Sequence, residues 1–146
     1  MKKTRKIICV ILALLLTMSL GPFAIAAEDA SEYLRAYVAD CYYEGNSTVS
    51  VWFEVEGAGY VPYLGVLSID LQEQVPGTGE WDTVLYVSDL TDATLLSQND
   101  SFHYGSAVYD NAVEGYLYRA IVCFYGGEEE SGDTRYYTTP TIVATP

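Results

Sequence analysis

The chain has 146 residues, half of them hydrophobic and 14% aromatic, with twenty acidic side chains against seven basic ones and a formal charge of −13. That charge repels nucleic acid and anionic lipid, leaving basic partners and divalent cations as the ionic ligands it could take. The length suits one domain with a single core.

The first element is a targeting segment. Lys2, Lys3, Arg5 and Lys6 precede an apolar run from Ile7 to Leu16, and Ala24-Ile25-Ala26 forms a small-x-small cleavage box. This is the three-part build of a secretory signal peptide over 1–26, of bacterial type. The apolar run is shorter than the roughly 20 residues that span a bilayer. Cys9 lies inside the run and not after a cleavage box, which argues against a lipoprotein anchor. No later apolar segment approaches spanning length and the closing residues carry no sorting sequence, so the expected location is extracellular. Cleavage leaves a domain over 27–146 that contains no lysine, with Arg35, Arg119 and Arg135 against all twenty acids, a formal charge of −17.

DASEYLRAYVADCYYEG supports two local readings. Leu34, Tyr37, Val38 and Cys41 fall at helical spacing, and Asp29 with Glu32 could form a capping box. A strand is preferred, because Tyr42-Tyr43 and the EGNS turn lead straight into the next run as a hairpin does. TVSVWFEVEG then alternates, with Val49, Val51, Phe53 and Val55 on one face and Ser50, Trp52 and Glu54 on the other. GVLSIDLQEQ places Leu67, Ile69 and Leu71 together, and WDTVLYVS sets Trp81, Thr83, Leu85 and Val87 opposite Asp82, Val84 and Tyr86. After a looser DLTDATLLSQND, the segments SFHYGSAVY, GYLYRAIVCFY and TRYYTTPTIV give three further strands. Period-two alternation with one apolar face is what a half-buried antiparallel sheet requires. About seven such runs in this length predict an all-β, two-sheet antiparallel sandwich.

These segments also carry a resemblance. Tyr118, near the start of the penultimate strand, after the Gly115 turn and before Arg-Ala-x-Val, resembles the tyrosine corner of immunoglobulin and fibronectin type III sandwiches. The order LGVLSIDLQE, turn, Trp81, HYGSAVY, GYLYRA, RYYTTPTIV is similar to a family of small secreted bacterial proteins of fibronectin-like architecture and no assigned function. The resemblance covers nearly all of the chain after the signal and implies no catalytic residues. In immunoglobulin domains the corner tyrosine and the strand cysteine lie two apart and share the inward face. Here the offset from Tyr118 to Cys123 is odd, so Cys123 is expected to face outward beside Arg119 and Ile121, closer to the fibronectin type III pattern.

Two cysteines follow the signal, Cys41 and Cys123. One reading is a disulfide on a sheet face or margin, which would close a loop of about 80 residues and stabilise by roughly 4 kcal/mol. The other is two free, buried thiols.

Chemistry is sparse. His103 is the single histidine; Ser106 lies on the opposite face of its strand, and Ser101 shares its face without a nucleophile-elbow turn, so a polar strand residue is expected and not a hydrolase triad. Twenty acids guarantee chance carboxylate pairs, which leaves a small carboxylate-dependent hydrolase as an alternative without a motif. Glu128, Glu129, Glu130 and Asp133 crowd one loop and could offer weak oxygen ligands to extracellular calcium, as in an adhesion domain, although a solvated charged hairpin explains them as well. No cysteine-histidine spacing points to zinc. The fourteen tyrosines and the outward Trp52 are the most unusual feature. Such side chains offer stiff contact area with a polar tip. The expected function is noncatalytic recognition of a protein or carbohydrate ligand outside the cell, through Trp52, Tyr125 and Tyr137 or through the acidic loop.

Overall fold

A computed structural model of the chain describes residues 31–145. The signal segment 1–26, Cys9 and the Asp29 end of the capping box lie outside the described residues. Those described form seven strands and one short 3-10 turn: β1 (Leu34–Gly45), β2 (Thr48–Gln74), β3 (Asp82–Ser88), the turn Ala93–Leu95, β4 (Leu96–Tyr109), β5 (Leu117–Gly127), β6 (Gly132–Thr138) and β7 (Ile142–Val143). All pairings are antiparallel, within one seven-stranded sheet.

The opening segment is a strand. Asn46 and Ser47 both take positive φ, 50° and 62°, between β1 and β2, the geometry of a tight hairpin turn. Beyond the turn, Val49, Val51, Phe53 and Val55 are at most 1% exposed.

β2 is the axis of the fold. TVSVWFEVEG and GVLSIDLQEQ, read as separate runs, are the two ends of this single 27-residue strand. Its first part lies between β1 on one edge and β4 on the other, and its last part between β5 and β3. The hand-over follows an irregularity between Glu56 and Val61, where β4 advances only from Phe102 to Asp100. Curling of the sheet brings its inner faces together. Tyr37 of β1 lies 5.0 Å from Phe124 of β5 and 6.5 Å from Tyr137 of β6, ring centre to ring centre, and Phe53 lies 6.4 Å from Phe124. Ile69, Leu71, Ala120 and Val122 complete this interior, all of them fully buried.

Two bulges explain where strict alternation fails. A register shift between Val66 and Ser68 buries Val66 and turns Leu67, expected inside with Ile69, to a half-buried position on the other face. Another, at Leu71/Gln72 against Leu85/Thr83, inverts the start of β3. Trp81, expected on the face of Leu85 and Val87, instead lies over the Arg119 guanidinium at 4.2 Å. DLTDATLLSQND holds the 3-10 turn, capped by Asp92, and the beginning of β4. TRYYTTPTIV is not one strand. Pro140 has no N–H to give to a ladder, and the chain breaks there into β6 and β7. Buried Thr139 bridges the break: its N–H donates to the Ala120 carbonyl and its Oγ1 accepts from the Ala120 N–H, each at 2.9 Å.

Candidate recognition surfaces

The outer face of β1, the first part of β2, and β4 is aromatic. The register places Val38, Glu54 and Tyr104 in one cross-strand row, Asp40, Trp52 and Ser106 in the next, and Tyr42, Ser50 and Val108 in a third. Ala36, Glu56 and Phe102 form the row beyond Val38. Trp52 is half-buried at the centre. Around it Val38, Tyr42, Phe102, Tyr104 and Val108 are exposed, Tyr104 by 70%. The Phe102 and Tyr104 rings are 6.2 Å apart.

The cause lies in the opposite face of β4. Gly105 pairs with Phe53, and a Cβ on Gly105 would fall 2.7 Å from the Phe53 ring, so the strand must carry almost nothing inward there. With Ala107 also turned inward, β4 carries little beside Phe53 between inward His103 and Tyr109, while Phe102, Tyr104 and Val108 stand on its outer face. Carboxylates punctuate the surface: Glu54 is exposed, Asp40 half-buried, and Glu56 holds Arg35 at 3.0 Å. A shallow hollow of ≈ 170 Å³ lies between Val38, Glu54, Glu56 and Phe102.

The other residues singled out from the sequence lie elsewhere. Tyr137 packs from β6 onto Tyr37 at the interior margin, away from Trp52. Tyr125 is on the second half of the sheet, where it lines an open cleft of ≈ 340 Å³ with Tyr63, Leu67, Asp89, Leu96, Glu128 and Glu129. The structure therefore joins one expected aromatic residue to two of the four expected loop acids, and separates all three from Trp52.

The loop acids do not converge. The Asp133 carboxylate accepts from Ser31 Oγ at 2.5 Å and from the Glu32 N–H at 3.1 Å, tying the lead into β1 to β6. The Ser31 hydrogen bond holds the Asp133 carboxyl below its ordinary range. Among the described residues no three acidic, histidine or cysteine side chains are grouped to hold a metal ion. The four-residue calcium reading of Glu128, Glu129, Glu130 and Asp133 gains no support from that geometry.

The disulfide reading is corrected. Cys41 and Cys123 are both free and buried. Cys41 stands opposite Val51 in the interior, whereas Cys123 stands opposite Ser68 and Tyr136 on the outer face. Two thiols on opposite sides of a sheet cannot approach bonding distance. Burial pushes the Cys41 thiol up to about 12, with Asp40 adding to the effect.

His103 Nε2 is within 2.8 Å of the Thr94 carbonyl and its ring packs 5.7 Å from Phe53. It fastens the 3-10 turn to β4. On the outer face of the second half, Arg119 donates to Gln72 at 2.9 Å, Gln72 donates to Asp70 at 3.1 Å, and Thr83 donates to Asp70 at 2.8 Å, so these polar groups satisfy one another.

Sequence reasoning missed Phe102, Tyr104 and Val108 as surface residues, although their even spacing in SFHYGSAVY opposite Gly105 and Ala107 is the signal. Asp89 and Tyr63 carried no sequence signal, since only the fold brings them to Tyr125.

No helix among the described residues is long and apolar enough to cross a membrane. No family model and no curated protein matches the chain. Among solved structures the chain is similar to Spo0M, a sporulation control protein from Bacillus subtilis, at 10% identity and a TM-score of 0.39. That match covers 72% of this chain and 49% of the other, so it spans about half the length of that protein.

Proposed function

We propose that this chain is a secreted, noncatalytic recognition module that binds a glycan chain across the aromatic face of β1, β2 and β4. The observation that carries the reading is the cluster of Phe102, Tyr104, Val38, Tyr42 and Val108 exposed around Trp52. Exposed aromatic and branched side chains gathered on one sheet face, rather than scattered singly, mark a surface that meets a partner. The face is a sheet surface, lined by rings that stack on the C–H faces of sugars and by Asp40, Glu54 and Ser106, which accept hydrogen bonds from hydroxyls.

The same reading treats the domain as a fibronectin type III-like sandwich. Its support is the pairing order: β1, the first part of β2 and β4 on one side, and β3, the last part of β2, β5 and β6 on the other. Tyr118 adds to it, accepting from the Val113 N–H at 2.8 Å as a corner tyrosine does.

Affinity electrophoresis and calorimetry against soluble polysaccharides test the function. Trp52→Ala and Tyr104→Ala are each expected to weaken binding about tenfold or more, since stacking residues at a binding centre contribute 2 kcal/mol or above by rough precedent. Unchanged affinity in both variants, or binding by no polysaccharide, removes the glycan reading. Retained binding to a protein ligand with loss in the same variants would instead assign the face to a protein. Turnover of glycans or esters by the wild type would favour the carboxylate-dependent hydrolase.

A further inference from the structure

The cleft on the opposite half of the sheet has a chemistry of its own. Tyr63 and Leu67 come from β2, Asp89 follows β3, Leu96 begins β4, Tyr125 belongs to β5, and Glu128 and Glu129 open the turn into β6. Its ≈ 340 Å³ lies within the range of small-ligand sites. Leu67 reaches it because of the bulge between Val66 and Ser68.

One wall is fixed in advance. The Tyr125 hydroxyl donates to the Glu128 carbonyl oxygen, and its ring lies across the β5–β6 hairpin where two glycines leave room. A Cβ on Gly132 would come within 2.6 Å of the Tyr125 hydroxyl, and one on Gly127 within 3.0 Å. Gly132 leaves the room the ring occupies, and Gly127 lets the hairpin backbone close beside it at Gly132 and Ser131. The hydrogen bond and the packing hold an aromatic wall in place before any ligand arrives, which lowers the ordering cost of binding.

Aromatic walls, a leucine floor and three carboxylates at the rim, with no basic side chain among the described lining residues, fit one kind of group. We infer that this cleft binds a primary alkylammonium group, its methylene stem against Leu67 and Leu96, its charge between Tyr63, Tyr125 and the carboxylates of Asp89, Glu128 and Glu129. Ammonium groups are drawn to ring faces as well as to carboxylates. The chain beyond residue 26 contains no lysine, so in the secreted form proposed above a second copy has no lysine side chain to supply the group. The ammonium belongs to another molecule, either a lysine side chain in a peptide or a free aliphatic diamine.

Chemical-shift mapping of the 15N-labelled protein tests this with three probes: cadaverine, a blocked lysine-containing peptide, and the same peptide with its lysine acetylated. The expected result is saturable shifts confined to Tyr63, Leu67, Asp89, Tyr125 and their neighbours, with the acetylated peptide silent. Cadaverine binding as tightly as the peptide would identify a free amine, and preference for the peptide a lysine side chain. Asp89→Asn with Glu129→Gln, both isosteric, is expected to weaken binding about tenfold. Shifts scattered over the whole acidic surface, equal binding of the acetylated peptide, or unchanged affinity in the double variant would each overturn the assignment. The polysaccharide variants Trp52→Ala and Tyr104→Ala leave this binding unaltered, which keeps the two surfaces distinguishable.

Discussion

The backbone N–H of Val113 donates to the hydroxyl of Tyr118 at 2.8 Å, across the turn that starts β5. The same hydroxyl donates to the Glu73 carboxylate on β2, and the side chain is fully buried. One residue therefore fastens a loop and a neighbouring strand from inside the core. Tyr118→Phe keeps the ring and removes both bonds, leaving an amide and a carboxylate to find other partners. A loss of roughly 1–3 kcal/mol is expected. Urea denaturation should show the midpoint falling with the slope unchanged; a midpoint equal to wild type would mean that the corner bonds contribute nothing net.

Alkaline pH should destabilise the protein through the same residue and through Cys41. Burial, and then the hydrogen bond to Glu73, raise the Tyr118 phenol above its ordinary 10.0. Cys41 is raised from 9.0 to about 12. Each group keeps its proton in the native protein at pH values where the unfolded chain has lost it. The associated stability is therefore complete below pH 9 and falls as pH rises, with Cys41 contributing from 9.0 to about 12 and Tyr118 from 10.0 upward. Denaturation curves across that window should show the decline, and Cys41→Ala should delay its onset. A stability independent of pH over this window would contradict the burial of both groups.

The sequence was most legible where burial alone decided the pattern. Val49, Val51, Phe53 and Val55 against Trp52 and Glu54, or Ala120 and Val122 against Arg119, follow period two because one face is dry and the other wet. Legibility ended at the bulges. Inserting one residue inverts every side chain beyond it, and nothing in VLS or TVL marks the insertion, so Leu67 and Trp81 came out on the wrong faces. The cleft is hidden for a related reason: Tyr63, Asp89 and Tyr125 meet only because β2 changes neighbours along its length, a property of the curled sheet and not of any local run.

Neither thiol should react with a bulky alkylating reagent in the folded protein. Cys41 is 1% exposed and Cys123 4%, and burial raises both thiols, so little thiolate exists at neutral pH. Mass spectrometry after pulse alkylation should find both unmodified without denaturant and both modified in it. Reductant should leave the melting temperature where it is. A mass two units short, or a melting point that drops with reductant, would restore the disulfide.

The packing of Gly105 against Phe53 links the core to the aromatic face. An added methyl at Gly105 would lie 2.7 and 2.8 Å from two atoms of the Phe53 ring. That ring is fully buried and touches Phe124 and His103 on its other sides, so it has nowhere to retreat. Gly105→Ala should therefore cost about 1–3 kcal/mol, the usual penalty of overpacking. Phe53→Leu alone loses core volume, but combined with Gly105→Ala it makes room for the methyl. The pair should be less destabilised than the two single changes added together, a coupling that a double-mutant cycle in urea reads directly. Additive losses would show that Phe53 does not confine β4 at this point. The inward constraint would then no longer account for why β4 carries only Gly105 and Ala107 between His103 and Tyr109 on its inner face while Phe102 and Tyr104 stand outside.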